Sequence, residues 1–275
     1  MAKKEAAITQ SPPIPVKKTV LKKWNNDGFL LSLILPVLVL IGWTVMTTTG
    51  IIPSYQLPSP QAVLERIVKL AQDGSLWVHL GMTTFRVLIG CLIGTVVAMI
   101  LGSIVGFYQQ AERIFDPIIQ AFKAIPSLAW VPLFILWMGI GEPSKISLIA
   151  VGVFFPVYLN MVSGILNVDK KLIEVGKIYG LNHFQLVRQI IFPAATPSFF
   201  VGLRSGLGLG WMFVVAAELM GASEGLGYLL ILGQNSSSPD IIIASIILFA
   251  LIGKGTDWII KLTERKMLVW RDGRV

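Results

Sequence analysis

Long uncharged runs of apolar residues constrain the fold of this chain more than any other feature. Two of them, 87–108 and 146–168, are 22 and 23 residues long and contain no Asp, Glu, Lys or Arg. A helix needs about 20 mainly apolar residues to cross a bilayer. Only 14% of the 275 residues are charged, against about a quarter in soluble domains, and the 54% hydrophobic content excludes disorder. The sequence therefore predicts an all-α polytopic membrane protein.

Six apolar segments are long enough to be predicted as membrane-spanning helices. They are about 29–48, 84–107, 117–139, 146–168, 194–220 and 241–262. The third contains Pro126 and Pro132, which are tolerated where neighbouring helices and water satisfy the freed carbonyls. Ser59-Pro60 predicts the start of a short helix on the outer face. One membrane domain, 28–275, is thus expected after a basic N-terminal tail, 1–27.

The distribution of Lys and Arg predicts the orientation of these spans. If the N-terminus is cytoplasmic, that side carries 16 of the 23 residues: six in the tail, Arg113, four in 166–188 and five from Lys261 onward. The opposite side carries only Arg66, Lys69 and Lys145. Because Lys and Arg favour cytoplasmic segments, and an even number of spans returns the chain to one side, both termini are predicted to be cytoplasmic. No dense basic face is interleaved with aromatic residues, so no nucleic-acid partner is expected.

The predicted cytoplasmic segment 169–193 is too long to be a simple turn. Its first part, 169–179, is polar and favours a helix, Gly180 interrupts it, and a second short run, 183–191, leads to Pro193. A helix, a glycine turn and a second helix would form a compact protrusion. Such a protrusion could receive force from another protein.

The same segment contains a motif with a defined spacing. It reads EVGKIYGLNHFQLVRQIIFP, in which Gly180 lies six positions after Glu174, nine residues separate Gly180 from Ile190, and Phe192-Pro193 follows. This resembles the EAA loop of the membrane subunits of bacterial ATP-driven importers, whose pattern is Glu-Ala-Ala, three residues, Gly, nine residues, Ile, any residue, Leu-Pro. The resemblance assigns an ATPase-coupling loop at about 169–193, with site residues Glu174, Gly176, Gly180, Leu181, Asn182, His183 and Pro193.

Further segments extend the resemblance over nearly the whole chain beyond the basic tail. LPSPQAV, WMGIGEPSKI, GLRSGLGLGW and AAELMGASEGLGYL look like permeases of the sulfonate, taurine, nitrate and bicarbonate importer group. WMGIGEPSKI is most similar to the aliphatic sulfonate and taurine branch. A nitrate or bicarbonate importer permease of the same group is the alternative.

The resemblance implies a type I ABC importer permease fold with six transmembrane helices in the bacterial inner membrane. It also implies a non-catalytic subunit that works with a second permease copy, two ATPase subunits and an external binding protein. The stretch GKGT at 253–256 lacks the earlier glycine of a phosphate-binding loop, so ATP and Mg are expected on the ATPase and no cofactor in this chain. By the family pattern, Glu174 would hold the loop in place and Gly180 would supply its tight turn.

Charged and small residues of the predicted fifth span are candidates for a translocation pathway or gate: Arg204, Gly206, Gly210 and Glu218. Charges within a membrane usually face a cavity or a partner. Arg204 and Glu218 are about 21 Å apart along one helix, so they cannot pair with each other. Structural alternatives are that Glu218 meets Arg86, near the outer start of the second span, and that glycines four residues apart serve close helix packing. Arg204, nearer the cytoplasmic side, could instead attract an anion.

Two other classes of membrane protein are alternatives to an importer permease. An autonomous secondary carrier or channel would be expected to show paired acids near the bilayer midplane and an inverted repeat, and neither is apparent in the sequence. A membrane enzyme would need a nucleophile, a metal or an acid/base cluster. His79 and His183 are isolated in the sequence, so neither a metal site nor a catalytic site is expected.

Overall fold

The chain folds into a bundle of helices joined by short connections. The computed structural model describes residues 26–269, except for the side chains of residues 26–32 and Ser127. The predicted basic tail, with its six lysines, lies almost wholly outside these residues. The helices are α1 (Asn26–Thr48), α2 (Pro60–Gln72), α3 (Ser75–Phe107), α4 (Gln109–Ala124), α5 (Val131–Met138), α6 (Glu142–Leu166), α7 (Lys170–Ile178), α8 (His183–Leu186), α9 (Phe192–Leu219), α10 (Leu226–Asn235) and α11 (Pro239–Met267).

The core is built around α6, against which α3 and α9 pack along most of their lengths. Glycines make this close approach possible. A Cβ atom added at Gly90 of α3 would lie 2.6 Å from Cγ2 of Ile149, and one added at Gly202 of α9 would lie 2.7 Å from Cβ of Asn160. Small residues spaced four apart allow helices to approach closely in lipid, and here they serve packing within one chain.

Four helices in the described part of the chain are long and apolar enough to cross a membrane: Ser75–Phe107, Glu142–Leu166, His183–Leu219 and Pro239–Met267. A fifth is obtained only if α4 and the helix that follows it are counted as one bent span. The apolar part of α1, Leu33–Thr48, is shorter. The all-helical membrane class is thus observed, whereas the number of six spans stays a prediction.

The segment predicted as a third span, 117–139, is not one straight helix. α4 begins earlier, at Gln109, and the chain bends by 89° between α4 and the helix Leu128–Met138. The residue before a proline is disfavoured in the helical region. Accordingly, Ile125, which precedes Pro126, has an extended conformation with φ −73° and ψ 125°. The bend therefore falls where the proline interrupts the helix.

The two ends of the bundle carry different structures. α3, α6 and α11 begin at the end that contains Arg86, called the Arg86 end below, and α7 and α8 lie at the opposite end, called the loop end. The helix predicted after Ser59 is present as α2, with the Ser59 hydroxyl accepting a hydrogen bond from the Ala62 N–H at 3.2 Å. An ion pair of 2.6 Å between Arg66 and Asp240 fixes α2 to the start of α11.

Candidate functional site

The loop between α6 and α9 forms two helices joined by a tight turn at the loop end. Asp169 caps α7 by accepting from the Lys171 N–H at 2.9 Å, and Asn182 and Gln185 cap α8 reciprocally at 2.9 Å each. Gly180 adopts a positive φ of 73°, which glycine reaches without steric cost. The predicted helix, glycine turn and helix are thus present in the order given by the sequence.

Gly176 allows the two halves of this loop to touch. It is buried, and a Cβ atom added there would lie 2.5 Å from Cδ1 of Ile190. Its carbonyl also accepts a hydrogen bond from the Leu181 N–H at 3.1 Å, which closes the end of α7. The absence of a side chain at this position therefore leaves room for Ile190 and lets α7 lie against the chain that enters α9.

Apolar side chains on the outside of the loop are exposed to a degree unusual for a polar segment. They are called the loop face below. The exposed fractions are 48% for Val175, 83% for Ile178, 81% for Tyr179 and 70% for Phe184. Contiguous exposed apolar residues rimmed by polar ones mark interaction sites. The rim here combines four cations with two carboxylates: Lys170, Lys171, Lys177 and Arg188 with Asp169 and Glu174.

The remaining predicted loop residues have different surroundings. Glu174 is exposed, and within residues 26–269 its carboxylate has no hydrogen-bond or ion-pair partner. Contacts inside the chain therefore do not provide the expected role of Glu174 in holding the loop. His183 is exposed and Leu181 is half-buried, while Pro193 occupies the second position of α9.

A buried ion pair lies at the Arg86 end. The side chains of Arg86 and Glu218 are 1% and 0% exposed, and Nη1 of Arg86 lies 2.7 Å from Oε1 of Glu218. The Thr83 hydroxyl also donates to Oε1 of Glu218 at 2.8 Å. This is the partner that the sequence suggested for Glu218, and it links α3 to the end of α9. Buried charges are stable only when paired and hydrogen-bonded in this way.

Two further charges complete this group, and neither was predicted from the sequence to lie there. Glu142, the first residue of α6, accepts from Nε and Nη2 of Arg86 at 2.7 Å each. Lys145 lies one turn further along α6 and donates to Glu142 at 3.2 Å. Arg86, Glu142, Lys145 and Glu218 form the charged cluster, which carries two positive and two negative charges. Its charges therefore cancel. The packing of α3 on α6 determines which of the charged residues meet.

The backbone between α9 and α10 also binds to the charged cluster. The Gly227 N–H donates to Glu218 at 2.7 Å, and the Glu224 carbonyl accepts from Arg86 at 2.6 Å. A Cβ atom at Gly225, where φ is 125°, would lie 2.5 Å from the Glu218 carboxylate carbon. The cluster therefore joins α3, α6, α9 and the start of α10 into one unit.

The other candidate pathway residues of α9 contact neighbouring helices. Arg204 is half-exposed and pairs with two acids of α11, Asp257 at 2.9 Å and Glu264 at 3.6 Å. Cβ atoms added at Gly206 and Gly210 would lie 3.1 Å and 3.2 Å from side-chain atoms of Val153 in α6. These contacts account for the two glycines by helix packing and for Arg204 by an ion pair between helices.

Known proteins resemble the chain in sequence and in fold. The family described as binding-protein-dependent transport system inner membrane component matches residues 82–269. A putative aliphatic sulfonates transport permease protein of Bacillus subtilis (strain 168) is 39% identical over 274 residues, which cover 99% of each chain. The taurine transport system permease protein of Escherichia coli (strain K12) is 34% identical over 241 residues, covering 86% of this chain and 87% of that protein.

Among solved structures, the MetNI methionine ABC transporter in inward-facing conformations has a similar fold. The TM-score is 0.56 at 19% identity, and the match covers 68% of this chain and 96% of that one. At this identity the likeness concerns the fold alone. The sequence relatives confirm the resemblance to ABC importer permeases of the sulfonate group, and the family match includes both the loop and the charged cluster. The chain therefore belongs to the family of binding-protein-dependent transport system inner membrane components, the permeases of ABC importers.

Proposed function

We propose that the chain is the membrane-spanning subunit of an ATP-driven importer for a small organic anion of the aliphatic sulfonate or taurine type. Two copies, each with six spans and both termini in the cytoplasm, would form the pathway across the bacterial inner membrane. Two ATPase subunits would bind on the cytoplasmic side and hold ATP and Mg. An external binding protein would deliver the anion.

The observation that carries this proposal is the loop face. Ile178, Tyr179 and Phe184 expose more than two thirds of their surface, although they lie in a folded, capped loop and not in a frayed segment. Burying such side chains in a partner is favourable by about 25 cal/mol per Å² of apolar surface. Because the rim of the loop face carries four cations and two carboxylates, the matching groove on the ATPase is expected to be apolar with an acidic border.

The connection of the loop to the bundle supports a mechanical role. The residues from His183 to Leu219 form one continuous helical run of 37 residues, so a displacement of α8 is transmitted directly to α9. α9 packs along α6, and the charged cluster ties both to α3. Movement of the ATPase would therefore move these helices as a semi-rigid unit, as in transitions where packed elements rotate against each other.

Substrate assignment rests on the relatives. The Bacillus subtilis and Escherichia coli permeases carry aliphatic sulfonates or taurine in their names, and we infer the same class of anion here. Binding of nitrate or bicarbonate, without binding of sulfonates, by the external binding protein of this importer would overturn this assignment. Calorimetric titration of that protein with methanesulfonate, taurine, nitrate and bicarbonate provides the test.

The docking role is tested by a matched pair of substitutions. Ile178→Asp places a carboxylate on the loop face, whereas Ile140→Asp places one on a side chain that is 72% exposed in the α5–α6 turn. We expect Ile178→Asp to weaken co-purification with the partner ATPase about tenfold or more, the size typical of a central interface residue. Ile140→Asp should leave this co-purification unchanged. Equal ATPase binding by both variants would refute docking through the loop face.

A further inference from the structure

The coupling loop joins α9 through a π turn. The Val187 N–H still bonds to the carbonyl of His183, four residues back, as in an α-helix. The Phe192 N–H instead bonds to the carbonyl of Val187, five residues back. One residue more than a regular α-helix needs is therefore accommodated between Val187 and Ile191, and single turns of this kind occur frequently at functional sites.

Pro193 provides a physical cause for this turn. A proline has no N–H to donate, and its ring clashes with the carbonyl four residues earlier in a regular helix. That carbonyl belongs to Gln189, in the middle of the π turn. Widening the helix there relieves the clash while the run from His183 to Leu219 stays continuous.

The buried residues on this helix show what the extra residue does. Leu186, Ile191 and Ala195 lie in one apolar cluster with Met161 and Ile165 of α6. Ile191 and Ala195 are four residues apart, but Leu186 and Ile191 are five residues apart. In a regular α-helix, five residues turn about 140° beyond a full circle, which would place Leu186 on another face. The π turn brings Leu186 back to the face that packs on α6.

We propose that this π turn, enforced by Pro193, is a phase spacer that sets the rotation of α8 relative to α9. It thereby orients Phe184 towards the ATPase while Leu186 packs on α6. This inference rests on the proposed function, because it assumes that α8 docks on the ATPase. Pro193 acts here as a positioning residue, through the backbone and not through contact with the partner.

A phase spacer predicts rescue by deletion. Pro193→Ala removes the clash that enforces the π turn, so the helix can become regular and α8 turns by about 100°. Deleting Gln189 in the Pro193→Ala chain removes the extra residue, so a regular helix again has Leu186 four residues before Ile191. Inserting one alanine after Gln189 in the same background should give no rescue. Gln189→Ala alone serves as the control, because that side chain is exposed.

The experiment measures substrate-stimulated ATP hydrolysis and uptake by the complete transporter in liposomes. Pro193→Ala should reduce coupled uptake about tenfold, as for loss of a docking residue, and the deletion of Gln189 should restore most of it. In a Cys91→Ala background, protection of Phe184→Cys from maleimide by the ATPase reports the rotation itself. That protection should be lost in Pro193→Ala and regained with the deletion.

The possible failures are distinguishable. If the unaltered chain does not co-purify with the ATPase, the proposed function fails and not only this inference. If the unaltered chain shows ATP-coupled uptake, two results would refute the phase spacer. One is unchanged coupled uptake in Pro193→Ala, and the other is a folded Gln189 deletion variant in which coupled uptake stays low. Melting of each permease in detergent identifies variants that are unfolded. The deletion variant decides the question even if the insertion variant does not fold.

Discussion

Removal of the positive charge of Arg86 should destabilise the bundle strongly, because this charge lies in a buried ion pair. In Arg86→Met, the Glu218 carboxylate keeps its hydrogen bonds from Thr83 and Gly227 but loses the guanidinium group 2.7 Å away. Glu218 is 0% exposed, so water cannot replace the guanidinium. Breaking a buried pair by removing one partner costs roughly 3–5 kcal/mol, a large part of the 5–15 kcal/mol typical of folded proteins.

The double variant separates charge from packing. Arg86→Met leaves the charged cluster with one excess negative charge, and Glu218→Gln leaves it with one excess positive charge, whereas the two together are neutral. We therefore expect the double variant to be more stable than the sum of the single effects implies, by about 0.5–3 kcal/mol, the range found for residues in direct contact. Glu142 remains to be balanced by Lys145 in that variant.

Unfolding by SDS in mixed micelles, followed by tryptophan fluorescence, gives the free energies for this cycle. Arg66→Met is the matched control, because Arg66 forms an ion pair of 2.6 Å with Asp240 but both side chains are partly exposed, at 31% and 20%. Partly exposed pairs contribute about 0–1 kcal/mol. The reasoning is refuted if Arg86→Met costs no more than Arg66→Met, or if the two changes at Arg86 and Glu218 are additive.

Two further substitutions test the surroundings of α9. Gly225→Ala should destabilise the fold by about 1–3 kcal/mol, because Gly225 has a positive φ and an added Cβ would overlap the Glu218 carboxylate. Gly208→Ala is the control, because an added Cβ there would have nothing within 4 Å. It should be neutral or slightly stabilising in the same unfolding assay. Arg204→Gln should lower stability by less than about 1 kcal/mol, since the Asp257 pair is half-exposed. If Arg204 attracts the transported anion, uptake at low substrate concentration should fall beyond this small effect. Unchanged uptake would exclude a role of Arg204 in attracting the anion and would leave only its ion pair with α11.

The loop between α6 and α9 was the part of the structure most accessible from sequence. Gly180 predicted the turn because only a residue without Cβ adopts a positive φ at no steric cost. The π turn was not predicted, because its hydrogen bonds depend on which face of the helix packs on α6. Its trace in the sequence is the five-residue step between Leu186 and Ile191, which is meaningful only once both are known to be buried.

The charged cluster was half predictable. Arg86 and Glu218 could be matched because both are expensive in a membrane and both were expected near the outer ends of their spans. Lys145 was counted among the residues on the outer side of the membrane, and Glu142 was not singled out. Their membership depends on the packing of α3 against α6, which is a long-range property that neither periodicity nor charge counting contains.

The break in the predicted third span illustrates a different limit. Pro126 was recognised, but prolines occur in membrane helices as kinks as well as breaks, so the sequence did not distinguish a kink from the 89° bend that the structure has. The bend is stabilised by contacts of Trp130 and Phe134 with the α6 core. Those tertiary contacts act together with the local effect of Pro126 on Ile125 to select the broken form.

Uptake of a radiolabelled sulfonate into liposomes tests the central claim most directly. The chain would be reconstituted in liposomes with its partner ATPase. ATP would be enclosed in the liposome lumen, and the substrate-loaded external binding protein would be added to the medium. Our account predicts sulfonate accumulation that requires ATP and the ATPase, and that falls about tenfold with Ile178→Asp. Equal uptake by the chain alone, driven by an ion gradient without the ATPase, would contradict the account and indicate an autonomous carrier.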